Sequence, residues 1–263
     1  MDAQVASVES LTVAKKDKNL ERNERRERME RMRREAQRAE RRRTLTVVGA
    51  CAVVALVIVS LTGWKLYQDN QEAAAIEGTP LADIGVSAGA AGCQDIVTEP
   101  AEGSSQHEET GTTIDYPDAP PAFGPHWDDQ PEFDRHFSTA EDRLPVERLV
   151  HYAEHGYATL WYDETIADDP EQLAVVEDLG AKFDIDDPGT IEELNANKFV
   201  AVPWTSEDGE PFPDGAHVAL THWSAATEGG EGIWQYCDQP SGEVVETFMA
   251  DYPASDSPEP TAG

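Results

Sequence analysis

Residues 144–162 read LPVERLVHYAEHGYATLWY. Val146, Leu149, Val150 and Ala153 recur at the three- and four-residue spacing of one helical face. Pro145 suits a first turn, and Gly156 is a stop signal, so the spacing predicts a helix over 144–155. The next six residues, Tyr157 to Tyr162, are mostly aromatic or aliphatic and predict a strand. A helix that hands over directly to a strand implies a layered fold of mixed class. Working outward, Pro-Glu opens a second helix over 170–182. Strands are expected over 199–204, 217–223 and 233–236, and Ser241 can cap a last helix over 243–252. The expectation is an α+β (or α/β) domain with a mixed sheet and about three helices.

Upstream, residues 44–64 form the run TLTVVGACAVVALVIVSLTGW, uncharged between Arg43 and Lys65. As a helix it would extend about 30 Å, the thickness of a hydrocarbon core. A cleaved signal peptide would have a shorter apolar region and a small-residue cleavage site close behind it. The run therefore reads as an uncleaved anchor. Before it, residues 20–43 read as a charged helix, in which Glu precedes Arg by four positions in pairs such as Glu27 and Arg31.

Charge divides the chain at this run. Residues 1–65 carry 15 Lys/Arg against 9 Asp/Glu, whereas residues 66–263 carry 5 against 43. Basic flanks stay on the cytoplasmic side of a span, so the expected location is the cell membrane, single-pass, with the N-terminus cytoplasmic and the remainder outside. The acidic part repels phosphate backbones, which excludes nucleic acid as its partner. The resulting division is a basic segment 1–43, a membrane helix 44–64, an Ala/Gly-rich linker 65–92, an extracytoplasmic domain 93–253, and a Pro/Ser tail 254–263 read as disordered.

Cys51 falls in the apolar run and reads as a small apolar residue. Cys93 and Cys237 flank the outer domain, and in an oxidising compartment the simplest expectation is that they pair.

The stretches DYPDAPPAFGPHW (115–127) and LVHYAEHGYATLWYD (149–163) carry the most specific pattern in the chain. They resemble the bacterial family catalogued as domain of unknown function 3105. The matching residues are Tyr116, Pro120, Pro121, Gly124, His126, Val150, His151, Glu154, His155 and Gly156. Phe123 stands where the family usually has a small hydroxyl residue. The resemblance implies a membrane-anchored or exported domain and implies no activity.

On a helix, His151 and His155 share a face turned away from the apolar stripe. If the stiff, Pro-rich loop folds across that face, His126 joins them. Three imidazoles, with Glu154 adjacent, form a set that zinc or copper accepts. Solvated histidines, or a purely structural motif, are the other readings. The first functional expectation is a tethered domain that binds a metal or an envelope partner through these histidines, the partner being unspecified. The alternative is a metal-dependent, hydrolase-type enzyme with His126, His151 and His155 as ligands and Glu154 as base, since HYAEH fits H-x-x-E-H. His217 and His222 differ by an odd number along a strand and face opposite sides. The segment 184–189 begins like a calcium loop but has Pro188 at its fifth position and Asn195 at its twelfth, which argues against one.

Overall fold

The computed structural model describes residues 2–101, 105–129, 135–184 and 190–261. The chain forms two compact units that divide between Asn70 and Gln71. The described residues of the first are all helical and belong to α1 (Asp2–Gly78). Within α1, residues 22–68 contain a stretch long and apolar enough to cross a membrane. Ahead of it, Arg31 pairs with Glu27 and Arg34 with Glu30, one turn apart. Such exposed pairs contribute a few tenths of a kcal/mol each, about the i,i+4 value.

The second unit is built on a five-stranded sheet. Its strands are β1 (Val97–Pro100), β4 (Ala158–Tyr162), β5 (Phe199–Pro203), β6 (Val218–Ser224) and β7 (Glu231–Cys237). They lie in the order β1-β7-β6-β4-β5. β4 and β5 are parallel, and the remaining pairings are antiparallel. Two further two-residue strands, β2 (His107–Glu108) and β3 (His126–Trp127), pair in parallel apart from this sheet.

Strands 158–162 and 199–203 are buried at every position, because both faces of the sheet are covered. Alternation sends Leu160, Tyr162, Phe199, Leu220 and Ile233 to one face. There they meet α4 (Pro170–Ala181) and α6 (Gly242–Asp251). Trp161, Val200, Val202, Ala219, Trp223 and Trp234 point to the other face and pack against Val146, Leu149, Val150 and Ala153 of α2 (Val146–Glu154). The apolar stripe of α2 is thus the one read from its sequence. The expected mixed α+β class is observed. Two short helices add to the three expected, α3 (Glu164–Ala167) and α5 (Ile191–Ala196). Asp163 and Thr190 cap them through side-chain oxygens, which satisfies first-turn amides that would otherwise lack partners.

The packed unit holds more of the chain than composition suggests. Within 65–92, Ile84 and Ala91 enter the core, since Ala-rich sequence can pack closely as well as link. Within 254–263, Ala254 and Ser257 are buried and the Glu259 amide donates to the Glu154 carbonyl (2.9 Å). Cys93 and Cys237 form a disulfide with sulfurs 2.05 Å apart, tying residues 81–92 to the end of β7. Residues 185–189, most of the segment that begins like a calcium loop, lie outside the described residues.

Gly156 is the pivot between α2 and β4. Its φ of +96° is one that L side chains rarely adopt, and a Cβ there would stand 2.6 Å from the Ala254 carbonyl oxygen. Glycine therefore stops the helix and admits the C-terminal segment against it.

Candidate metal centre

The helix face opposite the apolar stripe does not meet solvent. His151, Glu154 and His155 are all buried. Two segments cover them, the loop containing β2 and β3 on one side and residues 254–261 on the other.

The loop is held to α2 by specific contacts. Arg148 donates through Nε to Asp129 Oδ1 (3.2 Å) and through Nη2 to Oδ2, and its guanidinium lies 5.5 Å from the centre of the Trp127 ring. The Tyr116 hydroxyl donates to the Pro125 carbonyl (2.7 Å), and the Trp127 indole N–H to the Thr112 carbonyl (2.8 Å). Phe123 packs on Trp223 and Trp234. A Cβ on Gly232 would come within 2.2 Å of it, so glycine at 232 makes room for the Phe123 ring.

Parallel pairing sets His107 in register with His126. Their rings are 4.6 Å apart, and both approach His151, at 5.2 and 4.8 Å. Glu154 Oε2 lies 3.0 Å from His126 Nε2 and 3.6 Å from His107 Nε2. His107, His126, His151 and Glu154 each offer one ligand atom, and the four atoms lie within 4.8 Å of one another. Tetrahedral ligands at zinc distances stand about 3.3 Å apart, between the two carboxylate–imidazole separations. The residues present therefore fit a four-coordinate cation.

Backbone carbonyls fix the ring tautomers. His126 Nδ1 donates to the Gly124 carbonyl (2.9 Å) and His151 Nδ1 to the Trp127 carbonyl (2.7 Å). In the neutral ring, each Nε2 is left to present a lone pair. His126 Nε2 and Glu154 Oε2 then face each other at 3.0 Å, with their side chains 0% and 1% exposed. Neither atom has a hydrogen-bond partner of good geometry among the described residues. Two buried acceptors in this position repel unless a proton or a cation lies between them.

The electrostatics agree with a ligand set. Burial, reinforced by the neighbouring His126 ring, pushes His151 down to about 4, so it is neutral at pH 7. Burial works against the Glu154 carboxylate, but a hydrogen bond from His126 when its Nε2 carries a proton, one from the Ser105 hydroxyl, and the positive charge of a protonated His126 or His107 hold its pKa below the ordinary value. Neutral imidazoles and an ionised carboxylate are the forms that coordinate. His107 is the accessible member, its side chain 43% exposed.

Of the expected residues, His126, His151 and Glu154 are brought together. His155 stands outside that group. It caps α2, its ring stacks on His151 with centroids 4.8 Å apart, and it groups instead with Glu154 and Glu259. Burial lowers its pKa. His107 takes the place expected for His155, and the sequence reading missed it. The other histidines serve elsewhere. His217 meets Asp163 at 2.8 Å, His136 meets the Phe199 carbonyl, and His222 is buried within β6. Beneath the site, Lys198 Nζ donates to the carbonyls of His155 (2.8 Å) and Pro260 (2.9 Å), pinning the C-terminal segment to the end of α2.

A family model described as "Protein of unknown function (DUF3105)" matches residues 107–263. The matched span begins at His107 and contains every residue of both His/Glu groups. No curated protein and no solved structure matches the chain.

Proposed function

Since the chain belongs to the DUF3105 family, whose description assigns no activity, we propose a function from the chemistry of the site: a membrane-tethered domain that binds a transition-metal cation through His107, His126, His151 and Glu154. The observation that carries this reading is the buried 3.0 Å approach of His126 Nε2 to Glu154 Oε2, with the His126 tautomer fixed by Gly124. A cation can take the place of a proton between them and form a coordinate bond to each. Three imidazoles and one carboxylate suit zinc or copper(II) and disfavour calcium and magnesium, which take oxygen.

The location proposed is the outer face of a cell membrane. The apolar stretch of α1, the basic flank before it, the acidic part after it and the disulfide support this together. The acidic surface also draws cations from solution.

The hydrolase alternative has less support. Its base would be Glu154, which is 1% exposed and lies among the donor atoms. A carboxylate spent on the metal is not free to activate water. In the H-x-x-E-H arrangement both histidines are ligands, whereas here His155 lies outside the four-residue group.

The test is a competition titration of the full chain in detergent with zinc and copper, beside His126→Ala and His151→Ala. Each variant should lose at least about a hundredfold in affinity, since a ligand costs no less than the 10–100-fold typical of its supporting residues. Equal affinity in all three proteins would remove the site from consideration.

A further inference from the structure

Glu154 belongs to two groups. Besides the three-histidine set, its carboxylate lies with His155 and Glu259, one ligand atom from each within 4.8 Å of the others. His155 is 3% exposed, and its Nε2 has no hydrogen-bond partner among the described residues. A buried, unpartnered imidazole nitrogen is costly and calls for a ligand. His155 Nδ1 donates to the Glu259 carbonyl (3.3 Å), which leaves the Nε2 lone pair as the one that can coordinate, and the Glu259 carboxylate comes to 3.9 Å from the same ring. The Glu259 side chain remains 54% exposed.

The backbone places Glu259 firmly at this point. Its amide donates to the Glu154 carbonyl (2.9 Å), and the next residue, Pro260, is held by buried Lys198 (2.9 Å). An acidic residue in a Pro/Ser tail would ordinarily be solvated at a distance from the core. Here two main-chain contacts bring its carboxylate to the rim of the histidine cluster.

We propose that the protein holds a second divalent transition-metal ion, bound by His155 and Glu259, with the Glu154 carboxylate shared between the two ions. This rests on the reading of the first site as a metal site. The two sites differ in kind. The first offers three nitrogens and one oxygen, mostly buried. The second offers one nitrogen and two oxygens, one from an exposed side chain. It is therefore the weaker and faster-exchanging site, with open positions for water. Sharing a carboxylate is how paired ions are held close without uncompensated charge, and the surplus of Asp and Glu outside the membrane helix supplies the remaining counter-charge.

The experiment is equilibrium dialysis of the full chain in detergent against cobalt(II), with metal counted per chain and visible absorption recorded. The wild-type chain should bind two ions in two steps. Glu259→Gln, an exposed change that leaves the core intact, should weaken the second step by about tenfold or more and leave the first unchanged. His155→Gln should do the same, and Glu154→Gln should impair both steps. One ion per chain in the wild type, with Glu259→Gln and His155→Gln indistinguishable from it, would overturn the second site and leave the first standing. No bound ion in the wild type would remove both.

Discussion

Arg148 grips Asp129 through both arms of its guanidinium while lying over the ring of Trp127. Asp129 follows Trp127 by two residues, and the Trp127 carbonyl sets the tautomer of His151. One arginine on α2 thus fixes the loop that orients a histidine on the same helix. Exposed ion pairs contribute little to stability, but a bidentate pair positions what it holds.

Arg148→Met should therefore act on metal affinity more than on folding. The expected loss is about 10–100-fold in affinity, the usual cost of removing a residue that orients a ligand. The melting temperature without metal should change by no more than a few degrees. Competition titration and calorimetry on the same preparation check this. Unchanged affinity would mean that the loop needs no such anchor.

Acid should destabilise the fold through His222. The ring is 0% exposed, neither nitrogen has a partner among the described residues, and burial pushes its pKa down to about 4. Between the ordinary value, about 6.5, and that value, the unfolded chain takes up a proton that the folded chain refuses. This contribution is complete above pH about 6.5 and is lost as the pH falls towards 4, by on the order of 3 kcal/mol. His222→Leu should flatten that part of the curve when stability is measured by denaturant with metal removed. Identical pH profiles for the two proteins would contradict the assignment.

Reduction should loosen the packed unit. The Cys93–Cys237 bridge closes a loop of 144 residues, for which chain entropy gives about 5 kcal/mol. A Cys93→Ser, Cys237→Ser chain should melt on the order of 10 °C lower. It should also expose residues 81–92 to protease, since the bridge ties them to β7. A melting temperature within a degree or two of the wild type would show that the core holds this segment unaided.

Much of this architecture was legible because it is local. The stripe Val146, Leu149, Val150 and Ala153, the stop at Gly156 and the apolar run after it identify α2 and β4 from their own spacing. His126 and His151 were readable for the same reason: one lies on a helical face, the other in a loop stiffened by prolines. His107 was not. Its place depends on a two-residue parallel pairing with a segment 19 positions away, and residues 105–110 carry no periodicity that announces it. Glu259 was hidden by composition. A Pro/Ser tail reads as solvated, and nothing in it foretells the pairing of its backbone with Glu154 or the reach of Lys198. The exchange of His107 for His155 in the main group follows from helix geometry. Position 155 lies one turn beyond His151 and stacks on its ring, where it meets Glu154 and Glu259 and not the loop histidines.

The most direct test of the central claim is X-ray absorption at the zinc edge, on the full chain loaded with one equivalent of metal. The account predicts four light-atom ligands at about 2.0–2.1 Å, no sulfur, and outer-shell scattering from three imidazoles. The spectrum should persist in His155→Gln and be lost in His126→Ala. A chain that takes up no zinc, or a spectrum with at most one imidazole that His126→Ala leaves unaltered, would contradict it.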